Sequence, residues 1–358
     1  MYSPRIARIR SRLETQGLDA LLVTSLPNIR YLSGFSGSTG MLLLSALGDR
    51  FISDFRYHEQ YKQEVDPAFS LFDNTGLELV KELLPALAAE GLQSIGYEAD
   101  HTTCTTCGKF ASVDGLELTP TTGWVEELRM VKDGEELAAI EAAIRLNEEI
   151  FSEVVALARP DVTEADLAAE IEYRALKKGA SGSSFRPIIA SGPNSAKPHA
   201  GFSQQKLVPG TPLTFDMGMM LNGYCSDMTR TVFLGECTAK WRRVYDIVRE
   251  AKDRAAEAIK PGMTGKQVDA VARDYITEQG HGQHFGHGLG HGIGIEVHEG
   301  PRLAKVGLTE LQPGHVVTNE PGIYLPGEGG IRIEDIFVVT ENGARNMNSL
   351  STEIMVVG

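Results

Sequence analysis

Histidine and glycine are concentrated in one segment near the C-terminal end, GHGLGHGIGIEVHEG at positions 286–300. If this segment is extended, His287 and His291 share one face, because alternate side chains of a strand point to the same side. The glycines leave the opposite face bare, so backbone can approach closely there. His298 has the opposite parity, so the chain must bend if all three histidines address one pocket. A glycine-rich turn with solvated histidines is the alternative interpretation.

Two aspartates are brought together by a predicted hairpin. Asp216 and Asp227 lie in apolar-alternating runs on either side of Asn222-Gly223, a dipeptide typical of two-residue turns. This turn pairs Met220 with Cys225 and puts the aspartates diagonally on one face, with Cβ atoms within about 7–8 Å of each other. Buried carboxylates at that distance repel, and a divalent cation between them removes this cost. The alternative is that the shared face is solvated.

Two glutamates form a similar pair farther along the chain. Glu320 ends a strand-like run at 316–320, and Glu334 lies within a second run at 331–339. Arg332 has the same parity as Glu334, so its guanidinium could orient a carboxylate. An ordinary surface hairpin, in which such charges pair weakly, is the alternative.

These features together supply an oxygen-rich set of ligand types with one imidazole. The candidate metal ligands are Asp216, Asp227, His291, Glu320 and Glu334. Four ionised carboxylates balance two divalent cations when the histidine is neutral, and such a donor set favours Mn²⁺, Co²⁺ or Zn²⁺. Two metals about 3.5–4 Å apart can hold a bridging hydroxide and polarise a substrate carbonyl, which is hydrolase chemistry.

The elements that must position these residues divide the chain in two. Short apolar runs at 20–23, 41–44 and 50–52 alternate with helical patterns, which predicts a compact α/β unit. A turn-rich stretch at 119–123 predicts the boundary. Beyond it, Asp133 and Glu136 form a capping-box-like helix start. Further helices are predicted at 163–178, 239–259 and 264–279, with hairpins from residue 185 onward.

Composition and charge narrow the classes of function. The 358 residues carry a formal net charge of −14, which makes nucleic acid a poor default partner. Four cysteines give no disulfide framework, and no secretory signal or apolar run of about 18 residues is recognised. The expectation is therefore a cytoplasmic protein without a membrane span. Cys104 and Cys107 form an isolated CxxC that lacks the second pair of a structural zinc site.

The motifs resemble, in their order, those of the pita-bread metallopeptidases, the superfamily of methionine aminopeptidase, prolidase and aminopeptidase P. They are Asp-x10-Asp, GHGLGHGIGIEVHE, NEPGIY and GGIRIED. The segments NIRYLSGFSGSTG (28–40) and DFRY (54–57) look like the non-catalytic domain of the proline-specific branch. The resemblance implies an α+β fold. A pita-bread catalytic domain at 126–358 would have a curved antiparallel sheet around the metals, and a smaller α/β domain at 1–125 would serve substrate access and oligomerisation.

The resemblance also assigns roles to individual residues. It makes Asp216, Asp227, His291, Glu320 and Glu334 the metal ligands, with Asp227 and Glu334 bridging both ions. It makes His199, His287 and His298 substrate-side histidines, and Arg332 an arginine beside the last ligand. Because this set is intact, metal-free creatine-hydrolysing relatives and non-enzymatic binding homologues become poor matches.

The implied activity is that of a dinuclear, Mn²⁺-dependent aminopeptidase acting on peptides with proline at the second position, in a homodimer. In this mechanism a metal-bridging hydroxide attacks the scissile Xaa-Pro carbonyl and Glu320 moves the proton to the prolyl nitrogen. His298 stabilises the oxyanion, while His287 and His199 form part of the proline pocket, together with Arg332 on the substrate side. Co²⁺ and Zn²⁺ are alternative metals.

Substrate length separates two branches of this family. His291 and Glu320 are 29 residues apart, a short step that, with YLSGFSGSTG, favours aminopeptidase P over prolidase. Xaa-Pro dipeptidase, or prolidase, is the alternative, because archaeal prolidases share the short step. Candidate binders of a dipeptide's carboxylate are Arg302, Lys305 and Arg30.

Overall fold

The computed structural model describes residues 2–76 and 78–358. Met1 and Leu77, which belong to the predicted N-terminal domain, lie outside the described residues. Contacts within the chain define two units, Met1–Arg129 and Met130–Gly358. The sequence prediction puts the boundary between residues 125 and 126.

The first unit contains one six-stranded mixed sheet. Its strands are β1 (Ala20–Val23), β2 (Met41–Ser45), β3 (Arg50–Ser53), β4 (Ser70–Asp73), β5 (Ser94–Glu98) and β6 (Glu117–Thr121). They lie in the order β4-β3-β2-β1-β5-β6, with β1 antiparallel to β2 and parallel to β5. The helices are α1 (Tyr2–Gln16), α2 (Leu26–Ser33), α3 (His58–Glu64), α4 (Leu84–Ala89), α5 (Cys104–Ala111) and α6 (Glu126–Met130), the last at the boundary.

One strand of this sheet lies where the sequence predicts only a turn. Strand β6 contains Pro120, which has no N–H to donate to a neighbouring strand. The residue is tolerated because β6 is the edge of the sheet and needs partners on one side only. The strands expected at 20–23, 41–44 and 50–52 are confirmed as β1, β2 and β3.

The second unit carries fourteen strands and four long helices within Met130–Gly358. The strands are β7 (Gly182–Ser183), β8 (Ile188–Ser191), β9 (Pro212–Met217), β10 (Met219–Leu221), β11 (Tyr224–Cys225), β12 (Met228–Leu234), β13 (Gly290–Gly292), β14 (Glu299–Leu303), β15 (Val316–Asn319), β16 (Gly322–Leu325), β17 (Gly329–Arg332), β18 (Asp335–Thr340), β19 (Gly343–Asn346) and β20 (Val356–Val357). The helices are α7 (Gly134–Val155), α8 (Glu164–Lys177), α9 (Ala239–Ala258) and α10 (Gly265–Glu278).

These strands form four hydrogen-bonded groups. The larger two have the orders β20-β12-β9-β8 and β14-β13-β15-β18-β19, and the smaller two are β11-β10-β7 and β16-β17. Pairing is antiparallel throughout except between β12 and β20, which are parallel. The antiparallel sheet expected from the sequence is therefore divided into several pieces and has one parallel edge.

The long helices cover the sheets with their apolar faces. Helices α9 and α10 share an apolar cluster with β15 that includes Val248, Val268 and Val317. Helices α7 and α8 pack against β9 and β12, where the rings of Phe151 and Phe215 meet edge-on at 5.5 Å. No helix of the described residues is long and apolar enough to cross a bilayer.

Local signals fix the start of helix α7 and the central hairpin. Asp133 and Glu136 form the capping box at the start of α7, as predicted. In the hairpin, Asn222 and Gly223 have φ values of 51° and 79°, the left-handed conformation that a two-residue turn requires. The predicted pairing of Met220 with Cys225 is confirmed.

The predicted strand at 331–339 is wrong in one respect. The chain makes two strands there, β17 and β18, which belong to different sheets. The break falls at Ile333 and Glu334, and the Glu334 N–H donates to Thr229 O at 3.1 Å. The apolar alternation continues through the break because both strands are buried, so the pattern alone does not reveal it.

Candidate metal centre

Asp216 lies on β9 and Asp227 directly before β12, two paired strands that the hairpin turn sets in register. Asp216 is in β9 opposite Thr229 of β12, and Met217 lies opposite Met228, so Asp227 immediately precedes β12. This register makes the two aspartates diagonal neighbours, as the sequence predicts. Both side chains are buried, and both line one cavity of about 580 Å³.

His291 and Glu320 reach the same cavity from a second sheet. His291 lies in β13, and Glu320 follows directly after β15, whose Val317 pairs with the neighbouring Gly292. The two side chains meet at 3.3 Å between His291 Nε2 and Glu320 Oε1. His291 Nδ1 lies 3.0 Å from Gly292 O, which assigns the proton to Nδ1 because a carbonyl oxygen only accepts. Nε2 is thus the nitrogen that faces the cavity and could ligate a metal.

Glu334 joins this set from the break between β17 and β18. Its Oε2 accepts a hydrogen bond from Thr229 Oγ1 at 2.6 Å. Asp227, His291 and Glu334 each offer a ligand atom within 4.8 Å of the others, and this is the group of that kind found among the described residues. Asp216 and Glu320 line the same cavity but fall outside this closest group.

The buried carboxylates lack the partners that would stabilise their charge. Asp227 Oδ1 and Glu334 Oε1 are buried and accept no hydrogen bond within the described part of the chain. Burial first, and then the neighbouring carboxylates, raise the pKa of Asp227 and the pKa of Glu334 well above their ordinary values. A cation bound between these oxygens would remove both penalties, so the residues fit divalent metal ions.

Glu320 and His291 are close enough to form an ion pair when the imidazole is protonated. Burial works against both charges. The hydrogen bond from His291, with the charges of His291, His287 and Arg332, nevertheless lowers the pKa of Glu320 to about 2. The same contact raises the pKa of His291 against the effect of burial. Metal binding at His291 Nε2 needs that nitrogen unprotonated and therefore competes with a proton there.

Arg332 lies behind Asp216 and connects it to the rest of the centre. Its Nη2 donates to Asp216 Oδ2 at 2.5 Å, its Nη1 to Tyr324 Oη at 2.7 Å, and its Nε to Thr229 Oγ1 at 3.1 Å. The residue is 4% exposed. Because its donors are already engaged, Arg332 is placed to hold Asp216, Thr229 and Tyr324, although the sequence assigns it to the substrate side.

The three substrate-side histidines all line the cavity. His287 Nδ1 lies 2.7 Å from Gly288 O and therefore carries the proton, which leaves Nε2 to accept from Tyr324 Oη at 2.8 Å. The ring of His298 stands edge-on to that of His291 at 4.4 Å. Burial lowers the pKa of His287 and the pKa of His298, which favours neutral rings.

Some residues of the cavity are not found by sequence reasoning. Phe185 and Arg186 line it, whereas Arg302 and Lys305, the expected carboxylate binders of this unit, are exposed and not on its wall. Arg30, the third expected binder, belongs to the first unit. The sequence offers only a weak signal for Arg186, a charge just before an apolar strand.

Comparisons with known proteins cover both units. Residues 138–341 match metallopeptidase family M24, and residues 5–131 match the creatinase/prolidase N-terminal domain. The solved Xaa-Pro dipeptidase from Bacillus anthracis is 39% identical with a TM-score of 0.95, covering 100% of both chains. The X-Pro aminopeptidase from Thermotoga maritima is 37% identical with a TM-score of 0.90, covering 97% of this chain and 100% of that one. The Xaa-Pro dipeptidase of Pyrococcus furiosus is 34% identical over 360 residues, 98% of this chain and 99% of the relative.

Proposed function

The chain belongs to metallopeptidase family M24, with a creatinase/prolidase N-terminal domain, and from this premise we propose that it is an Xaa-Pro dipeptidase. The family and the pita-bread fold class predicted from its motifs are confirmed, so the protein is a hydrolase of the metallopeptidase class. One observation carries the choice of chemistry. Asp227, His291 and Glu334 bring ligand atoms within 4.8 Å of one another in a cavity where two carboxylate oxygens have no partner.

Substrate length is the point on which the sequence and the similarities differ. The sequence favours an aminopeptidase that releases the first residue of longer peptides. The similarities support the dipeptidase alternative better, because the proteins from Bacillus anthracis and Pyrococcus furiosus are named Xaa-Pro dipeptidases. The aminopeptidase stays the second candidate because of the likeness to the X-Pro aminopeptidase from Thermotoga maritima.

The five predicted ligands are the residues that would hold the metal. They are Asp216, Asp227, His291, Glu320 and Glu334, all on the wall of one cavity. Two divalent ions bound there would supply Lewis-acid polarisation of the carbonyl and a lowered pKa of water. The donor set of four carboxylates and one imidazole suits Mn²⁺, with Co²⁺ and Zn²⁺ as alternatives.

The chain's own residues bind the substrate and move the proton. Glu320 holds the proton of the attacking water on its carboxylate and delivers it to the departing prolyl nitrogen. A ring N–H of His298 donates to the carbonyl oxygen as negative charge develops there. Asp216 accepts from the free α-amino group of the dipeptide. Arg332 keeps the carboxylate of Asp216 in place during these steps.

Proline is selected by what its nitrogen lacks. An Xaa-Pro bond has no N–H, so its site needs no acceptor opposite the nitrogen. His287 on the cavity wall has both ring nitrogens engaged, by Gly288 O and Tyr324 Oη, and presents carbon rather than polar atoms to a proline ring. His199 and Phe185 also line the cavity, where the N–H of an ordinary secondary-amide peptide bond would remain unpaired.

Comparing Ala-Pro with Ala-Pro-Ala tests this assignment, using the full chain reconstituted separately with Mn²⁺, Co²⁺ and Zn²⁺. A dipeptidase has a kcat/KM at least tenfold higher for Ala-Pro. Preference for the tripeptide would move the assignment to the aminopeptidase, and hydrolysis of Ala-Ala at the rate of Ala-Pro would contradict proline specificity. The homodimer, the cytoplasmic location and the role of the first unit in substrate access stay predictions.

A further inference from the structure

The segment that carries His287 is not part of any strand. Residues 285–289 lie between a single 3₁₀ turn (Gly282–His284) and β13, and none of them belongs to a sheet. Gly286 and Gly288 give this backbone more conformational freedom than other residues would. The ring of His287 can therefore keep one position only if other groups fix the backbone on either side of it.

Asp269 and Arg273 of helix α10 supply such groups. They form a bidentate ion pair, in which Arg273 Nε donates to Asp269 Oδ2 at 2.8 Å and Arg273 Nη2 donates to Asp269 Oδ1 at 2.7 Å. The two residues are four positions apart, so their side chains meet on one face of the helix. The side chain of Asp269 is 2% exposed and that of Arg273 is 13% exposed, so the pair is largely shielded from solvent.

The ion pair also bonds to three backbone groups of residues 285–289. Arg273 Nη1 donates to Phe285 O at 2.9 Å, and Arg273 Nη2 donates to His287 O at 2.7 Å. Asp269 Oδ1 accepts from the Leu289 N–H at 3.0 Å. Phe285, His287 and Leu289 are alternate residues, like those that bond along one edge of a strand. The two side chains thus take the place of a neighbouring strand.

Further contacts connect the pair to the catalytic cavity. The guanidinium carbon of Arg273 lies 4.3 Å from the ring centroid of Phe285, and that ring meets the His287 ring edge-on at 5.1 Å. Leu289 is fully buried, and its carbonyl oxygen accepts from the Glu320 N–H at 2.8 Å. The pair therefore reaches a histidine of the proposed proline pocket and, through one backbone bond, the proposed proton carrier.

We propose that Asp269 and Arg273 position His287 and Glu320 for catalysis, with Arg273 holding two carbonyl groups at once. Neither side chain lines the cavity, so both are positioning residues that act through the backbone of residues 285–289. This inference rests on the proposed Xaa-Pro dipeptidase function, in which His287 contacts the proline ring and Glu320 moves the proton. Loss of the pair therefore weakens substrate binding and slows the chemical step together.

Kinetics of Arg273→Lys and Arg273→Met with Ala-Pro test the proposal. Lysine keeps a positive charge beside Asp269 but lacks the planar fork that reaches two carbonyl groups, and methionine removes the charge as well. Displacement of groups at the reaction centre should lower kcat/KM about tenfold in Arg273→Lys and about a hundredfold in Arg273→Met. KM should rise about two- to tenfold in both. A variant that is merely unstable has a smaller active fraction, which lowers the apparent kcat and leaves KM unchanged.

Arg254→Lys and Arg254→Met are the matched controls. Arg254 also pairs with an acid four positions away, Glu250, and its guanidinium carbon lies 4.1 Å from the ring centroid of Tyr275. Both charged side chains are about half exposed, and within the described ranges Arg254 forms no hydrogen bond with residues 285–289. The controls should keep the kinetics of the unmodified enzyme. Equal losses in the Arg254 and Arg273 series would overturn the positioning role.

Nuclear magnetic resonance of the Zn²⁺-loaded protein, labelled with ¹⁵N-histidine, avoids dependence on turnover. His287 Nε2 accepts from Tyr324 Oη at 2.8 Å, so its ¹⁵N resonance reports whether the ring keeps its position. The resonance is identified by its loss in His287→Gln. It should shift in Arg273→Lys and stay in place in Arg254→Lys, and an unchanged resonance in Arg273→Lys would overturn the inference.

The two proposals fail in different ways. If the unmodified enzyme does not cleave Ala-Pro, the proposed function fails, and the His287 resonance still tests the positioning role. If the unmodified enzyme cleaves Ala-Pro and Arg273→Lys keeps its kcat and KM, only this inference fails. Arg273→Lys decides the matter even if Arg273→Met, which leaves the buried Asp269 without its partner, does not fold.

Discussion

The hydroxyl of Thr229 lies between Glu334 and Arg332, donating to Glu334 Oε2 at 2.6 Å and accepting from Arg332 Nε at 3.1 Å. Thr229 is fully buried in β12, so neither bond can be replaced by solvent. One small side chain therefore orients a proposed metal ligand and the arginine that holds another, Asp216.

Thr229→Val should weaken metal binding without unfolding the protein. Valine has nearly the same shape but cannot donate to Glu334, and losing such an orienting bond typically costs ten- to a hundredfold in metal affinity or activity. Equilibrium dialysis with Mn²⁺ and kcat on Ala-Pro measure the two effects. Thr231→Val is the matched control, because the Thr231 hydroxyl bonds to the Arg332 backbone and not to Glu334. Equal losses in both variants would contradict the orienting role of Thr229.

Asp227→Asn should separate stability from activity. In chelated protein the change removes one of the crowded carboxylates, so the melting temperature should stay the same or rise. Adding Mn²⁺ should raise the melting temperature of the unmodified protein, by linkage to binding of the folded state, and should raise that of the variant much less.

Activity of Asp227→Asn on Ala-Pro should fall by about a thousandfold or more, because a metal ligand is lost. Asp274→Asn, an equal change of charge at an exposed site of α10, is the control. An Asp227→Asn protein that gains as much stability from Mn²⁺ as the unmodified chain would remove Asp227 from the metal site.

His315 should make the stability of the second unit depend on pH. Burial first, and the charge of Lys132 second, lower its pKa to about 4 from 6.5. Between pH 6.5 and about 4, His315 is therefore protonated in the unfolded chain but neutral in the folded chain. The contribution of His315 is complete above pH 6.5 and is lost as pH falls toward 4, by about 3 kcal/mol in all.

Comparison with His315→Asn isolates this effect, since asparagine retains an acceptor for the Gln312 N–H that His315 Nδ1 accepts at 3.3 Å. The difference in unfolding free energy between the two proteins should shrink as pH falls from 7 to 4.5, measured by denaturant titration. His101→Asn, at an exposed site, should leave the pH profile unchanged. A constant difference across this range would show that His315 is not buried as a neutral ring.

Short-range chemistry accounts for what the sequence predicted well. The Asn222-Gly223 turn sets the register that makes Asp216 and Asp227 neighbours. The turn and both aspartates lie within one stretch of twelve residues. The capping box at Asp133 is equally local. The resemblance of the motifs also predicted that His291 and Glu334 belong to the site, although their closeness depends on the pairing of strands distant in sequence.

What was missed depends on partners that are far away in the sequence. The break at Glu334 exists because the chain changes pairing partner there. Strand β17 before the break pairs with β16, and β18 after it pairs with β15. The alternation of residues 331–339 does not indicate this change of partner. Arg186 lines the cavity and lies over the ring of Phe202, and the sequence around Arg186 indicates neither contact.

Glu334 stands where the backbone passes from one small sheet to a larger one, and this gives its carboxylate a mechanical as well as a chemical consequence. A cation bound by Glu334, Asp227 and His291 would connect three separate hydrogen-bonded groups of strands at one point. Without the ion, Glu334 would be held by Thr229, by its own amide and by Arg230 Nη1, which donates to Glu334 O at 2.6 Å, so we expect heating to loosen the sheets there and to inactivate the enzyme together.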